Sequence, residues 1–271
     1  MQSKRIKKVI ICIAFGFILS HSAFAQDTSV VNTTTQKDTI IPKRYSVAIS
    51  GGYSYLMGNL TKIDYANPKS GYASLDGYNF AGEGVCWLNK HIGLGGLFSF
   101  SSNYVSNAGL VDLAVGYQQS LNGDSATASS ITKYNFYNLF VGPYFSFPLK
   151  NKKFSIDAKV IGGLTYMNTP DFDIVVVVAG VPHPFAQNIS RGISYGFQGG
   201  GGIKYRFGTY VDIKLFIDYY YTNPNIKINN SNMPTMVNRQ LSNYHQPITM
   251  VNFNFGIVYK FVKKNKAVTT Y

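Results

Sequence analysis

Apolar and polar residues alternate along most of the chain, and a period of two is typical of β-strands whose two faces meet different surroundings. In residues 251–261, every second residue is large and apolar, while Asn254 and Lys260 belong to the opposite, more polar face. Other segments divide their residues between two faces in the same way. Together they predict eight strands, over 44–56, 77–89, 92–103, 133–148, 153–167, 192–207, 210–222 and 248–262.

The connections between these strands are alternately long and short. The long ones cover about 57–76, 104–132, 168–191 and 223–247. Loops longer than about 12–15 residues are uncommon in soluble domains, whereas transmembrane β-barrels combine short periplasmic turns with long extracellular loops. The sequence therefore predicts an all-β fold, an eight-stranded antiparallel transmembrane β-barrel with four long extracellular loops and short periplasmic turns.

Two further apolar stretches lie inside predicted loops, at 110–117 and 174–180. We interpret the second as a strand extension or a hairpin above the membrane rather than as an exposed patch for a partner. If both stretches crossed the membrane, the barrel would have ten strands, which is the alternative fold.

The two strand faces differ in the way that a membrane barrel requires. Aromatic residues of the apolar face gather near strand ends, as in the aromatic girdles of barrels. The other face is rich in Gly, Ser and Asn and carries charges of both signs, which need partners once they leave water. The interior of an eight-stranded barrel is just wide enough for side chains to fill, so we predict paired charges and no large aqueous pore. The predicted interior polar network contains Glu83, Asp157, Lys159, Lys204, Arg206, Asp212, Lys214 and Asp218.

Strand pairing constrains this network further. Directly opposed residues share a face, so Asp212 is expected opposite Lys204 or Arg206.

The N-terminal sequence predicts export. A basic run at 4–8 precedes an apolar block at 9–19, and the small-residue pattern 23–25 follows it, which indicates a signal peptide over residues 1–25. We expect a flexible periplasmic lead-in at 26–43, the barrel at 44–262 and a periplasmic tail at 263–271. The predicted location is the bacterial outer membrane.

Composition agrees with this interpretation. Charged residues form only 14% of the chain, against about a quarter in ordinary soluble proteins. The formal net charge is +13, and basic residues concentrate at the predicted periplasmic strand ends. Because an exported chain rarely meets nucleic acid, we expect anionic lipid headgroups, not nucleic acid, as the counterpart of these charges.

The last predicted strand resembles the β-signal by which outer-membrane barrels are recognised for insertion. The resemblance rests on Asn254, Gly256, Tyr259 and Phe261, and it implies the barrel-insertion machinery as a partner. The chain departs from the usual form because it continues for ten residues, 262–271, beyond that strand.

The predicted mature chain is similar in plan to OmpA/OmpX-type barrels. Its many Tyr and Asn residues and the stretch GPYFSF at 142–147 resemble a β-barrel family common in Bacteroidetes, which includes PorT-like proteins. This resemblance implies an outer-membrane location but no single activity.

The glycine run in 196–208 resembles a phosphate-binding loop only at first sight. Such a loop needs a fixed glycine spacing followed by Lys and Ser/Thr at the start of a helix, whereas the residues flanking this run alternate with a period of two. On an alternating strand, Gly200 and Gly202 point inward and make room for large or charged neighbours. Gly199 and Gly201 point outward and allow the strand to bend.

Function is expected to lie in the surface loops. We predict a barrel with a filled polar interior that acts as an envelope structural or adhesion/binding protein, in contact with outer-membrane lipid, lipopolysaccharide and a possible surface ligand or protein. One alternative is an enzyme acting on lipid or peptide at the outer rim, a surface hydrolase or acyltransferase. Another is a narrow channel or transport accessory.

Enzyme candidates would combine His183 or His245 with Asp171, Asp173 or Ser242. No spacing in the sequence links these residues, so we predict no catalytic, cofactor or metal site.

Overall fold

The computed structural model describes residues 45–67, 70–151, 153–230 and 244–261. Within these ranges the chain forms twelve strands, one α-helix and a 3₁₀ turn at Asn59–Thr61. The strands are β1 (Tyr45–Met57), β2 (Ala73–Trp87), β3 (Ile92–Val105), β4 (Ser125–Ser129), β5 (Tyr134–Pro148), β6 (Phe154–Asn168), β7 (Phe172–Val178), β8 (Val181–Arg206), β9 (Val211–Thr222), β10 (Asn225–Asn230), β11 (Tyr244–His245) and β12 (Ile248–Phe261). The helix α1 covers Asn107–Ser120, between β3 and β4.

Eight strands close into a barrel. The hydrogen-bonded order is β1, β2, β3, β5, β6, β8, β9 and β12, and β12 pairs back with β1 so that Tyr45 lies opposite Phe261. Every neighbouring pair is antiparallel. The predicted eight-stranded antiparallel barrel is therefore confirmed, and closure leaves none of these eight strands with an open edge.

The two ends of the barrel differ. The short connections after β2, β5 and β8 lie at one end, together with the start of β1 and the end of β12; we call this the turn end. The long connections lie at the opposite, loop end, and their described parts form further strands, a helix and a 3₁₀ turn. The hairpin of β7 and β8 extends beyond the ring, and β4 pairs with β7 along its other edge.

The ten-strand alternative is wrong. Residues 110–117 belong to α1, where Gly109, Leu113, Gly116 and Tyr117 are buried at helical spacing. Residues 174–178 form the outer part of β7 and pair with β4 and with residues 181–185, the part of β8 that extends beyond the ring.

The barrel interior is layered along its axis. Its middle is polar, whereas the loop-end part is filled by apolar and aromatic side chains that include Leu56, Phe136, Met167, Ile248 and Met250. A second buried cluster lies in the loop-end connections. It joins α1 to β7 and contains Tyr72, Leu113, Tyr117, Phe172, Ile174 and Val176. We call α1, β4, β7, residues 181–187 and this cluster the loop-end assembly.

The predicted segments 1–25, 26–43 and 263–271 lie outside the described residues. No helix in the described part of the chain is both long and apolar enough to cross a membrane.

Candidate functional site

The centre of the lumen holds four charged side chains that we call the central charge cluster: Glu83 of β2, Lys159 of β6, and Lys214 and Asp218 of β9. Lys159 Nζ lies 2.7 Å from Glu83 Oε1 and 3.1 Å from Asp218 Oδ1. Lys214 Nζ lies 2.6 Å from the other Glu83 oxygen. Lys159 and Asp218 are each only 1% exposed, so the two cations and two anions neutralise each other away from solvent.

These ion pairs cross the lumen. In the ring, β2 is three strands away from both β6 and β9, so Glu83 links opposite walls of the barrel. The Phe216 ring packs against both ammonium groups, with its centroid 4.8 Å from Lys159 Nζ and 5.6 Å from Lys214 Nζ. Buried charges are tolerated only when they are paired and hydrogen-bonded, and this arrangement both pairs them and fills the lumen.

An amide and hydroxyl network extends from the cluster toward β3. Asn254 Nδ2 donates to Asp218 Oδ2 at 3.0 Å, and Asn79 Nδ2 donates to Asn254 Oδ1 at 2.7 Å. Ser101 Oγ then donates to Asn79 Oδ1 at 2.8 Å. The network supplies partners to groups that would otherwise be buried without them, at a cost of about 1–3 kcal/mol each.

The described residues of the turn end form two further ion pairs. Lys204 Nζ lies 2.7 Å from Asp157 Oδ2, and Lys260 binds Asp212. The hydroxyls of Ser146 and Ser155 both donate to the remaining Asp157 oxygen, at 2.7 and 2.9 Å. This end of the lumen opens into a cavity of about 140 Å³.

Seven of the eight residues of the predicted interior network make ion pairs inside the barrel. The eighth, Arg206, lies opposite Asp212 in the β8–β9 register, which confirms that pairing, but its side chain is exposed at the mouth. Asp212 instead binds Lys260, which the predicted network did not include. The alternation of residues in β12 could have identified Lys260 as an interior residue, because it lies between the outward Tyr259 and Phe261 and shares the face of Asn254.

The four residues of the insertion-signal resemblance divide between the two faces of β12. Asn254 and Gly256 point inward, whereas Tyr259 and Phe261 are exposed on the outer surface. Gly256 also has a packing role, since a Cβ atom there would lie 2.7 Å from Ser50 Cβ and 3.0 Å from Lys214 Cε. Recognition of these residues for insertion stays a prediction.

The outer surface has an aromatic row near each end. On the loop side, rings from β2, β3, β5 and β6 follow one another at centroid distances of 5.0–6.0 Å. These rings belong to Tyr78, Phe100, Tyr137 and Tyr166. Beside them, Lys133 Nζ lies 3.9 Å from the Tyr104 ring centroid, and interaction with the Tyr104 hydroxyl raises the pKa of Lys133.

The turn-side row contains ring pairs within a strand and between neighbouring strands and turns. They are Phe154 with Tyr205, Tyr210 with Tyr259, Tyr259 with Phe261, and His91 with Phe147.

The band between the two rows is apolar. Along β5 its outward residues are Tyr137, Leu139, Val141, Pro143, Phe145 and Phe147. From Tyr137 to Phe147 the strand advances by ten residue steps, which correspond to about 33 Å of strand, or about 25 Å along the barrel axis at a usual tilt of about 40°. Between the rows, no outward position on the eight ring strands is charged.

The structure does not assemble the enzyme candidates into a site. His183 lies opposite Val176 in the β7–β8 hairpin, and His245 is exposed on β11. Asp171 accepts a hydrogen bond from Thr132, and Asp173 pairs with Ala186 in the hairpin register. Ser242 lies outside the described residues. Among the residues that the structure describes, no group of three or more His, Cys, Asp or Glu side chains could hold a metal ion.

Comparisons with known proteins return solved structures only. No family model and no curated protein matches the sequence. The attachment invasion locus protein Ail of Yersinia pestis is 13% identical, with 82% of this chain and 100% of that chain covered and a TM-score of 0.40. Neisserial surface protein A is 12% identical, with 80% of this chain and 97% of that chain covered and a TM-score of 0.41. A major outer membrane protein of Thermus thermophilus is 13% identical, with 80% of this chain and 99% of that chain covered and a TM-score of 0.43. The assignment of the fold rests on the closed ring of eight strands, and the resemblance to PorT-like barrels of Bacteroidetes stays a prediction.

Proposed function

We propose that this protein is an integral outer-membrane barrel with a closed lumen, which holds a folded surface at its loop end for adhesion or for binding a partner. The observation that carries the proposal is the uncharged outward band of about 25 Å, the height typical of the lipid-facing band of outer-membrane barrels. An apolar surface of that extent is not stable in water and marks a membrane or interaction surface.

The filled lumen supports a structural or binding role over transport. The central charge cluster joins opposite walls, and the apolar layer on its loop side is fully buried at Leu56, Phe136 and Met250. An ion or solute would have to break buried ion pairs and then pass this apolar layer. We therefore expect no steady conductance from the protein in planar lipid bilayers, and a reproducible single-channel current would contradict the closed lumen.

The loop end supports a binding role because it is a packed surface. Tyr117 of α1 contacts Tyr65 and Phe185 with centroid distances of 5.6 and 6.0 Å, which fixes the helix against the connection and the hairpin. The opposite side of α1 exposes Val111 and Val115, one helical turn apart. A fixed apolar pair on an outward helix is suited to contact with another surface.

Under this proposal, residues 1–25 direct export, the turn end faces the periplasm and the loop end faces the outside, where the outer leaflet contains lipopolysaccharide. The pattern at Asn254, Gly256, Tyr259 and Phe261 is the feature through which the barrel-insertion machinery would recognise the chain.

Two experiments test the proposal. The protein extracted from membranes should migrate differently on gels before and after heating, and a chain that is fully soluble without detergent would refute the membrane barrel.

For the loop end, cells that display the Val111→Asp, Val115→Asp double variant should adhere to a surface less well than cells with the original protein. Val181→Asp, at an exposed position of the hairpin, is the matched control, and equal adhesion of all three would contradict a role for α1.

A further inference from the structure

The turn-end mouth of the barrel has the properties of an anion site. Its cavity of about 140 Å³ exceeds by far the space of about 10–15 Å³ that one water needs. Among the described residues, five basic side chains and one carboxylate, that of Asp212, line it. The five are Lys90, Lys153, Lys204, Arg206 and Lys260.

Only part of this positive charge is neutralised within the barrel. Lys204 is paired with Asp157 and Lys260 with Asp212. No carboxylate of the described residues lies within ion-pair distance of the other three bases, Lys90, Lys153 and Arg206. Like charges around one cavity repel each other, so an anion that enters it relieves this repulsion.

The backbone holds two of these bases together. Arg206 N donates to Lys153 O at 2.7 Å, where β8 ends beside the turn that precedes β6. The guanidinium group presents a planar set of donors that matches the oxygens of a phosphate group, and the ammonium group adds a compact charge. Both side chains are exposed, so they are free to turn toward a ligand in the mouth.

A buried hydroxyl supplies a further donor. Ser46 lines the cavity and is 7% exposed. Its oxygen accepts a hydrogen bond from Trp87 Nε1 at 3.0 Å, so the hydroxyl proton of Ser46 can still be donated to a ligand.

We propose that the turn-end mouth binds a phosphate group, held by Arg206, Lys153 and Lys90 with Ser46 as a neutral donor. The same chemistry is offered by a soluble phosphate compound and by the headgroup of an anionic phospholipid at the adjacent membrane surface. The inference concerns the turn end alone and does not depend on the proposed binding role of the loop end.

The chain carries its own reporter of this site. Trp87 is the single tryptophan of the sequence, it lines the cavity, and its ring centroid lies 5.5 Å from Lys204 Nζ. The full-length protein in a zwitterionic detergent is titrated with sodium phosphate against sodium chloride of equal ionic strength, and Trp87 fluorescence is recorded. In a second arm, the protein is placed in phosphatidylcholine vesicles with and without phosphatidylglycerol.

We expect Trp87 fluorescence to change and to saturate in at least one of the two arms, and sodium chloride should not reproduce this change. The Lys153→Gln, Arg206→Gln double variant should weaken it about tenfold or more, because each charge-assisted hydrogen bond lost accounts for a factor of that order. The matched control Lys62→Gln, Lys227→Gln removes the same charge from exposed loop-end positions and should not weaken it. Heat-dependent gel migration shows whether each variant still forms the barrel.

The two arms identify the source of the phosphate. A response to sodium phosphate in detergent indicates a soluble ligand, whereas a response that appears only with phosphatidylglycerol indicates a lipid headgroup. The proposal is overturned if neither arm saturates, or if the control variant weakens the response as much as the mouth variant does.

Discussion

Gly200 of β8 lies opposite Asp218 of β9, and a Cβ atom at position 200 would be 2.1 Å from Asp218 Oδ1. The same carboxylate oxygen is 3.1 Å from Lys159 Nζ. The absent side chain therefore provides the space in which Asp218 joins the central charge cluster. A glycine in a strand usually weakens it, but here it permits a buried ion pair.

Substitution of Gly200 by alanine should destabilise the barrel. The new methyl group displaces the Asp218 carboxylate or pushes the two strands apart, and overpacking of this kind costs about 1–3 kcal/mol. The free energy of unfolding is measured with urea in lipid vesicles through Trp87 fluorescence. Gly199→Ala is the matched control, because a Cβ atom at this outward neighbour meets nothing within 4 Å. Equal effects of the two substitutions would show that space around Asp218 is not the reason for Gly200.

The central charge cluster should respond to substitution as one unit. Glu83→Gln leaves two buried ammonium groups with one remaining carboxylate. Removing one partner of a buried ion pair lowers the free energy of unfolding by about 3–5 kcal/mol. Adding Lys214→Gln restores the charge balance and keeps the pair of Lys159 with Asp218. We therefore expect the double variant to lose at least about 1 kcal/mol less than the sum of the two single losses.

The same urea titration of the four proteins gives this coupling energy. Asp173→Asn, which removes an exposed carboxylate at the loop end, should change the free energy of unfolding by less than about 0.5 kcal/mol. Strict additivity of the Glu83 and Lys214 substitutions would mean that the cluster does not hold the lumen closed through mutual neutralisation.

Much of the barrel can be predicted from the sequence because one physical rule governs it. Alternation places Lys159, Lys214 and Asp218 on one face, and closure of an eight-stranded sheet turns that face into a lumen. The spaces beside Gly200 and Gly202 follow from the same rule, and the structure confirms both, with a Cβ atom at 202 only 2.0 Å from Leu215 O.

The loop end could not be predicted in this way. Helix α1 has apolar residues on its exposed side as well as on its buried side, such as Val111 and Val115. Its contacts depend on residues distant in sequence, such as Tyr65 and Phe185. The extension of β8 back to Val181 depends on its pairing with β7 outside the ring. The residues of the proposed phosphate site lie far apart in the sequence, as bases at separate turns, and only closure of the barrel brings Lys90, Lys153 and Arg206 to one mouth.

The loop-end assembly should loosen without loss of the barrel when Gly116 becomes alanine. A Cβ atom at position 116 would lie 2.1 Å from Tyr65 Cγ, so α1 cannot remain seated against that ring. We expect faster proteolytic cleavage within 107–129 and unchanged heat-dependent gel migration, since the ring strands are not altered. Val115→Ala, at an exposed position of the same helix, serves as the control and should leave the cleavage rate unchanged. A loss of the barrel itself in Gly116→Ala would contradict the independence of the two parts.

The insertion role proposed for Phe261 can be separated from its contribution to stability. Phe261 and Phe253 both point outward from β12 and are 50% and 47% exposed, so truncation to alanine removes a similar lipid-facing surface from each. If Phe261 acts only through burial in lipid, both variants should assemble equally well in cells. Recognition of the strand end by the insertion machinery instead predicts that Phe261→Ala lowers the amount of heat-modifiable protein in the outer membrane severalfold, while Phe253→Ala does not. Refolding of both purified chains into vesicles without that machinery provides the reference, and there the two variants should fold to similar extents. Equal assembly of both variants in cells would remove Phe261 from the signal.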